Sequence, residues 1–490
     1  MAKMTTQVGG VSLGRGYAVM AGLAMAMVLS RILSPSDYGT YRQVWLLFYS
    51  LAPMLELGIV PNVTYFLPQL SPRGAKSYLI LNGILLLLSG GVMAVAFLGG
   101  AEALARLFNN PSLVAPLRAF SLFPVFALPY RLTEEALLAH GRGGAAGMVA
   151  AASATAQTLI VLGIILGGGT LDQAFHWLAV WAAVRWSICL SSLLSLTRGC
   201  AIQWEWAPLR QQLAFALPVG AAAGVGLLAT QLDRLVVSSF FTTEDFAIYV
   251  NGAYQIPLVA VLTLSVSAVL IPALFRAYSA DDVGELRRLW HGAARRLAWL
   301  FFPSAVFLFV AAGPLMVLIF SDRYAGSAGP FRIFLFDLPL RIALHGALLR
   351  AVGRTRPILT ASLSALVISL ALALTLVHVE GIGILGPAIA SVVASYVAVL
   401  YAIRVSLRLL GWRWCDYLPW KTLSAIMGVA LISAAPTLAI ARALAPASPI
   451  VRLAAMAAAY TLTYLVLGKT TGAAPPREWL SAVTDLLRQR

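Results

Sequence analysis

Apolar stretches of about 20 residues recur along almost the whole chain, the length at which a helix crosses the roughly 30 Å hydrocarbon core of a bilayer. In that solvent each backbone N–H and C=O must find its partner within the spanning structure, which leaves only helices and closed barrels. Barrel strands read as short alternating segments, and none occur here, so the expected class is an all-α integral membrane protein. Only 11% of the 490 residues are charged, against about 25% in soluble domains. Breaks at Gly, Pro and charge clusters predict about fourteen helices, near 10–33, 41–66, 77–100, 113–138, 145–167, 172–197, 211–240, 247–275, 294–320, 328–350, 357–378, 383–409, 419–441 and 448–468.

The net charge is +16. A basic balance of this size suits nucleic acid, but the Lys and Arg are strung between apolar runs, as membrane topology requires of cytoplasmic loops. No nucleic-acid partner is expected. Loops and helix ends on the side of the termini hold 22 Lys and Arg and the opposite side holds 8, which predicts that both termini are cytoplasmic. The remaining five, Arg15, Arg131, Arg185, Arg234 and Arg341, fall inside predicted spans. The apolar stretch 17–29 after Arg15 is read as a span and not as a cleaved leader, because the second half of the chain carries its counterpart. Cys189, Cys200 and Cys415 have neither metal nor disulfide spacing. The tail from Trp479 to Leu487 reads as a solvated or interfacial end.

An internal repeat organises the chain. Ser36-Asp37-Tyr38-Gly39-Thr40-Tyr41 follows the first span and Glu244-Asp245-Phe246-Ala247-Ile248-Tyr249 follows the seventh. Leu128-Pro129-Tyr130-Arg131 of the fourth span matches Leu338-Pro339-Leu340-Arg341 of the tenth, and the turns at His140-Gly141-Arg142 and Val352-Gly353-Arg354 match as well. Three matches in order, at offsets of 208, 210 and 211 to 212, indicate a duplication. Six spans separate equivalent points, so the copies enter the membrane from the same side as parallel repeats, and substrate sites in such transporters lie at the repeat interface. The expected layout is a six-helix lobe at 1–200, a second at 201–412, and two additional transmembrane helices with a cytoplasmic tail at 413–490.

The segment Leu29-Ser30-Arg31-Ile32-Leu33-Ser34-Pro35-Ser36-Asp37-Tyr38-Gly39-Thr40-Tyr41, together with Gln231-Leu232-Asp233-Arg234-Leu235-Val236 leading into Glu244 to Tyr249, resembles the multidrug/oligosaccharidyl-lipid/polysaccharide exporter superfamily, within it the bacterial O-antigen and polysaccharide repeat-unit flippases. The resemblance extends over the chain in span count and repeat layout. It implies a MATE-like fold of two six-helix lobes around a cavity that opens alternately to each side of the inner membrane. It also implies a lipid-linked oligosaccharide, of the undecaprenyl-pyrophosphate type, as cargo for O-antigen, lipopolysaccharide, capsule or exopolysaccharide synthesis, with a polysaccharide polymerase and chain-length proteins as partners beside the membrane lipids.

An ionisable group near the bilayer centre costs roughly 2.5–3.5 kcal/mol on insertion scales, so it faces a cavity or a partner. Arg131 and Arg341 occupy equivalent positions and are candidates to hold an anionic headgroup, since guanidinium forks match phosphate oxygens. The alternative is pairing within each lobe, Arg131 with Glu134 or Glu135 and Arg341 with Asp337. Arg234 and Arg185 are further cavity candidates, Arg185 with a stacked structural role beside Trp181 and Trp186 as its alternative. Arg15, about a turn into the first span, could meet a phosphate arriving from the cytoplasm or snorkel. Glu56, in the middle of the second span with no basic residue three or four positions away, is the candidate for proton coupling. Asp233 and Asp337 are further candidates for coupling to H+ or Na+. Gly220 to Gly224 reads as close helix packing, and Pro53, Pro61, Pro129, Pro218, Pro257, Pro272 and Pro339 as sites where helices bend.

The competing class, a membrane enzyme such as a polysaccharide polymerase, needs a polar loop with catalytic groups. The longest expected loop, near 276–293, holds Asp281, Asp282, Glu285 and His291 among arginines and reads as a solvated linker. The histidines show no two-ligand helical spacing and there is no phosphate-binding loop, so neither an enzyme, a metal site nor a cofactor is expected. A drug exporter should hold an acidic or apolar pocket, whereas arginines outnumber carboxylates at the deep positions, which favours a flippase of polysaccharide precursors over a drug exporter. A lipid II flippase is the further alternative.

Overall fold

The computed structural model describes residues 2–196, 206–254 and 256–471, and every regular element among them is helical. Arg198, Cys200, the expected lobe boundary at 200/201 and the tail from Trp479 lie outside the described residues. Nine helices are long and apolar enough to cross a membrane, and up to eleven crossings result when two bent pairs each count as one, among the described residues. The chain is therefore a multi-pass membrane protein. The count of about fourteen is not confirmed among the described residues, where several of the expected spans are broken.

The chain divides into two compact units, Met1–Ala247 and Ile248–Arg490. In the first, α1 (Ala2–Ile32) is followed by α2 (Pro35–Leu55) and α3 (Ile59–Phe66), which meet at 46° and occupy the second expected span. Next come α4 (Pro72–Leu107), α5 (Val114–Phe120) and α6 (Phe123–Ala139), the last two meeting at 49° in the fourth expected span. α7 (Gly143–Leu166), α8 (Leu171–Leu196), α9 (Trp206–Ala229) and α10 (Leu232–Phe240) follow, and α11 (Thr243–Gly252) runs across the division between the units. In the second unit, α12 (Pro257–Ser279) leads into α13 (Val283–Phe320), followed by the short pieces α14 (Ala328–Leu335), α15 (Asp337–Leu340) and α16 (His345–Ala351) where one tenth span was expected. Then follow α17 (Arg356–Leu376), α18 (Gly386–Leu410), α19 (Trp414–Tyr417), α20 (Trp420–Ala443) and α21 (Pro449–Thr470).

The repeated sequence motifs are helix ends. Ser34 Oγ accepts from the Asp37 N–H at 3.0 Å and donates to the Asp37 carboxylate at 2.6 Å; Thr242 Oγ1 does the same for Asp245 at 3.1 and 2.7 Å. Each oxygen satisfies one of the orphan N–H groups at a helix start. The aromatic pairs that follow, Tyr38 with Tyr41 and Phe246 with Tyr249, are buried. The matching turns are equally regular. Arg142 N–H donates to Leu137 O and Gly141 N–H to Leu138 O, while Arg354 N–H donates to Leu349 O and Gly353 N–H to Arg350 O. Both glycines have φ near 70°, the left-handed residue that this helix-closing motif requires.

Packing in the first unit depends on small residues. Gly10 and Gly14 of α1 lie against Gly144 and Gly147 of α7, so close that a Cβ on Gly14 would sit 2.1 Å from Gly147 O. These closely spaced glycines let the backbones touch. α9 meets the α2–α3 junction in the same way, as expected for Gly220 to Gly224: a Cβ on Gly220 would fall 2.2 Å from Gly58 N. Further along, Asn82 of α4 and Gln212 of α9 exchange amide hydrogen bonds at 2.7 and 3.3 Å.

In the second unit α13 is the spine. At 38 residues it is about 57 Å long, nearly twice the hydrocarbon thickness, so its polar start projects beyond the membrane. The linker expected near 276–293 is correspondingly not a loop: α12 continues to Ser279, and Asp282 Oδ1 caps α13 by accepting from the Glu285 N–H at 2.8 Å. Charged residues continue a helix readily once it has left the apolar core. α19 is fastened to that projection by Trp290 Nε1 donating to Tyr417 O at 2.8 Å and by the Arg287–Asp416 ion pair at 3.3 Å. α20 and α21 pack on its other end through Ala311, Ala441 and Met456.

Candidate functional site

Four of the eight predicted site residues converge in the first unit, on α6. Its sequence Tyr130-Arg131-Leu132-Thr133-Glu134-Glu135 places Arg131 and Glu135 on one helical stripe and Tyr130 and Glu134 on the next, because residues four apart share a face. The helix is held by an aromatic cluster at its bend, where Phe120 and Phe123 stack at 4.6 Å and both meet Trp45 and Phe48 edge-on.

The Arg131 stripe faces α1 and the α2–α3 junction. Arg131 Nη1 donates to Glu56 Oε1 in an ion pair whose glutamate side chain is 7% exposed and whose arginine is 52% exposed. Glu56 stands at the break itself: Leu57 and Gly58 follow with φ of 52° and 70°, which ends α2 and re-aims the chain into α3. Arg15 of α1 donates to Glu135 at 3.1 Å. Arg131 thus pairs within its own unit, as the alternative held, but with a carboxylate 75 residues away in place of Glu134 or Glu135 of its own helix.

The Tyr130 stripe faces α7 and α8. Arg185 is buried, with its guanidinium carbon 3.6 Å from the centre of the Tyr130 ring and its Nη1 donating to Ser153 Oγ. It is a stacked arginine, but on Tyr130 and not on Trp181 or Trp186. Glu134 lies close enough to Arg15, Arg131 and Arg185 for its carboxylate to act on all three. Three arginines and three glutamates therefore gather within this unit, with Arg15 paired to Glu135 and Arg131 to Glu56. Tyr130 and Ser153 escape a reading of the sequence, although the four-residue spacing of Tyr130 and Glu134 beside Arg131 and Glu135 is a signal that could have found the first of them.

The other candidates lie apart from this cluster. In α10 Asp233 is buried, and Arg234 donates to Gln231 Oε1 at 2.6 Å. In the second unit Asp337 starts α15, while Arg341 opens a single 3-10 turn and is exposed, with no ion-pair partner among the described residues. The duplicated Leu-Pro-x-Arg segment is continuous helix in the first copy and broken in the second, where Leu344 takes a φ of 34°. At the repeat offsets Glu56, Glu134 and Glu135 have Leu264, Leu344 and His345 as counterparts, so only the arginine is present in both copies.

This arrangement of broken and glycine-packed membrane helices has counterparts among solved structures. It is similar to a multidrug resistance MATE family transporter of the MOP superfamily in an inward-facing conformation, with TM-score 0.66 and 15% identity over 82% of this chain and 98% of that one. It is also similar to lipid II flippase MurJ in an inward closed conformation, with TM-score 0.72 and 14% identity over 94% of this chain and 98% of that one. Residues 28–329 match the polysaccharide biosynthesis protein family, and the chain belongs to it. The probable lipid II flippase MurJ of Rhizobium meliloti (strain 1021) is 27% identical over 173 residues, a stretch that covers 34% of this chain and 29% of that relative.

Proposed function

We propose that this protein is a flippase that carries a lipid-linked oligosaccharide repeat unit from the cytoplasmic to the periplasmic leaflet of the bacterial inner membrane by alternating access, for O-antigen, capsule or exopolysaccharide synthesis. The observation that carries the reading is Arg131, a mid-span guanidinium left half exposed although its only ion-pair partner among the described residues is buried. Exposed positive charge at that depth needs a polar cavity, and the open edge of the fork suits a phosphate oxygen. Arg341 offers a second guanidinium of the same kind, and Arg15 one nearer the cytoplasm. Membership in the polysaccharide biosynthesis family supports a glycan precursor as the cargo.

The duplication supports lobes at 1–200 and 201–412 with an appended pair of helices at 413–490. The Lys and Arg imbalance supports cytoplasmic termini. Glu56, Asp233 and Asp337 are the groups proposed for coupling to H+ or Na+, and a polysaccharide polymerase with chain-length proteins would take the delivered unit. A second reading, lipid II as the cargo, is favoured by the 173-residue likeness to the probable lipid II flippase.

The test is a deletion strain. The glycolipid that accumulates in its cytoplasmic leaflet identifies the cargo, and complementation with Arg131→Ala and Arg341→Ala should restore little export at normal protein levels. Full export by both variants would overturn the reading, and accumulation of lipid II alone would select the second one.

A further inference from the structure

The Arg131–Glu56 pair is asymmetric in a way that a purely structural ion pair has no need to be. The carboxylate is buried at a helix break, whereas half of the guanidinium surface is open. One nitrogen, Nη1, holds Glu56, which leaves most of the five N–H donors of the fork for another anion. We propose that the pair is an exchangeable lock: an anionic phosphate group of the cargo takes Arg131 from Glu56, and Glu56 then takes up one proton from the open aqueous side.

The surroundings of Glu56 force that second step. Among the described residues the charged groups that act on it are Arg131 and Glu135, both of α6. Glu135 is a like charge, itself tied to Arg15 of α1. α9 meets the break with Ala216 and Gly220, which carry no charge. With Arg131 withdrawn, Glu56 would be a buried carboxylate facing only another carboxylate, and both burial and like charge favour the neutral form. The proton bound on loading is returned when Arg131 recaptures Glu56 on release, so cargo and proton bind together and leave together. The break beside Glu56, clamped between Gly58 and Gly220, gives the exchange a place to act on the bend of the second span.

This inference rests on the proposed anionic cargo, and the experiment separates the two. Farnesyl diphosphate serves as the probe with the purified full chain in detergent, and proton uptake is measured by calorimetry in buffers of different ionisation enthalpy. The wild type should take up about one proton per diphosphate bound, and its Kd should rise by up to about tenfold per pH unit above neutrality, where the probe's own charge changes little. Glu56→Gln should bind at least as tightly, with uptake abolished and the pH dependence flattened, while Arg131→Ala should lose most of the affinity. Binding that depends on Arg131 but shows unchanged proton uptake in Glu56→Gln overturns the lock alone. Binding indifferent to Arg131 overturns the cargo reading as well. Should Glu56→Gln fail to fold, the wild-type pH dependence still decides, because a pH-independent Kd is incompatible with the exchange.

Discussion

A methyl group added at Gly147 tests whether α1 and α7 really meet backbone to backbone. The Cβ of an alanine there would lie 2.2 Å from Gly10 O and 2.9 Å from Gly10 C, and both obstacles are backbone, so no side-chain rotation relieves the clash. Restoring ordinary separations of about 3.5 Å requires the helices to part by roughly 1 Å. Overpacking of this kind costs about 1–3 kcal/mol, against a gain of up to about 1 kcal/mol for Ala over Gly within a helix. Gly144 supplies the control, three residues away on the same helix, since a Cβ there meets nothing within 4 Å. The propensity gain is common to both variants and cancels. Gly147→Ala should therefore melt about 1–3 °C below Gly144→Ala, followed by tryptophan fluorescence of the purified protein in detergent. It should also transport less, because the displaced helix carries Arg15 away from Glu135. Equal melting temperatures would refute the close crossing and, with it, the placement of Arg15.

Gly58→Ala should be more damaging than Gly147→Ala, since its φ of 70° strains any L side chain and the new Cβ would fall 2.2 Å from Ala216 O; yield and melting temperature report it. Asn82→Leu and Gln212→Leu should each cost about 1–3 kcal/mol by leaving a buried amide unpaired, whereas the double variant should recover part of that loss in a double-mutant cycle. A coupling near zero would mean that the reciprocal hydrogen bonds do not hold α4 to α9. Ser34→Ala and Thr242→Ala should cost about 1 kcal/mol each and sum in combination, because each removes one cap from a separate helix start. Strong non-additivity would show that the two caps are not independent.

The amino-acid sequence reveals the backbone devices of this fold better than its side-chain pairings. Residues that recur because a helix start needs an oxygen, or a helix end needs a glycine, carry their meaning locally. Thus Ser34 with Asp37, Thr242 with Asp245, and the turns at Gly141 and Gly353 are legible as a repeat from residue identity and spacing alone. The breaks are less so. Prolines are expected to bend helices, yet Pro129, Pro218 and Pro272 lie inside continuous helices, while the sharp change in the second span falls at Leu57 and Gly58. A proline costs one hydrogen bond that a neighbour can replace, but two successive left-handed residues end a helix outright. Ion pairs are least legible, since Glu56 and Arg131 are brought together only by that break.

The duplication therefore kept what the backbone demands and let the charges diverge. In the first copy the Leu-Pro-x-Arg segment is continuous helix, and its arginine is held by a buried carboxylate. In the second copy the helix breaks three residues after Arg341, at Leu344, and the sequence offers Leu264 where the first has Glu56. Lipid would penalise both guanidinium groups alike, so packing alone explains neither the presence of a counter-charge in one copy nor its omission in the other. Under the proposed function such inequality has a use: one arginine whose affinity for an anion is tempered by a competing carboxylate, and one with no ion-pair partner among the described residues.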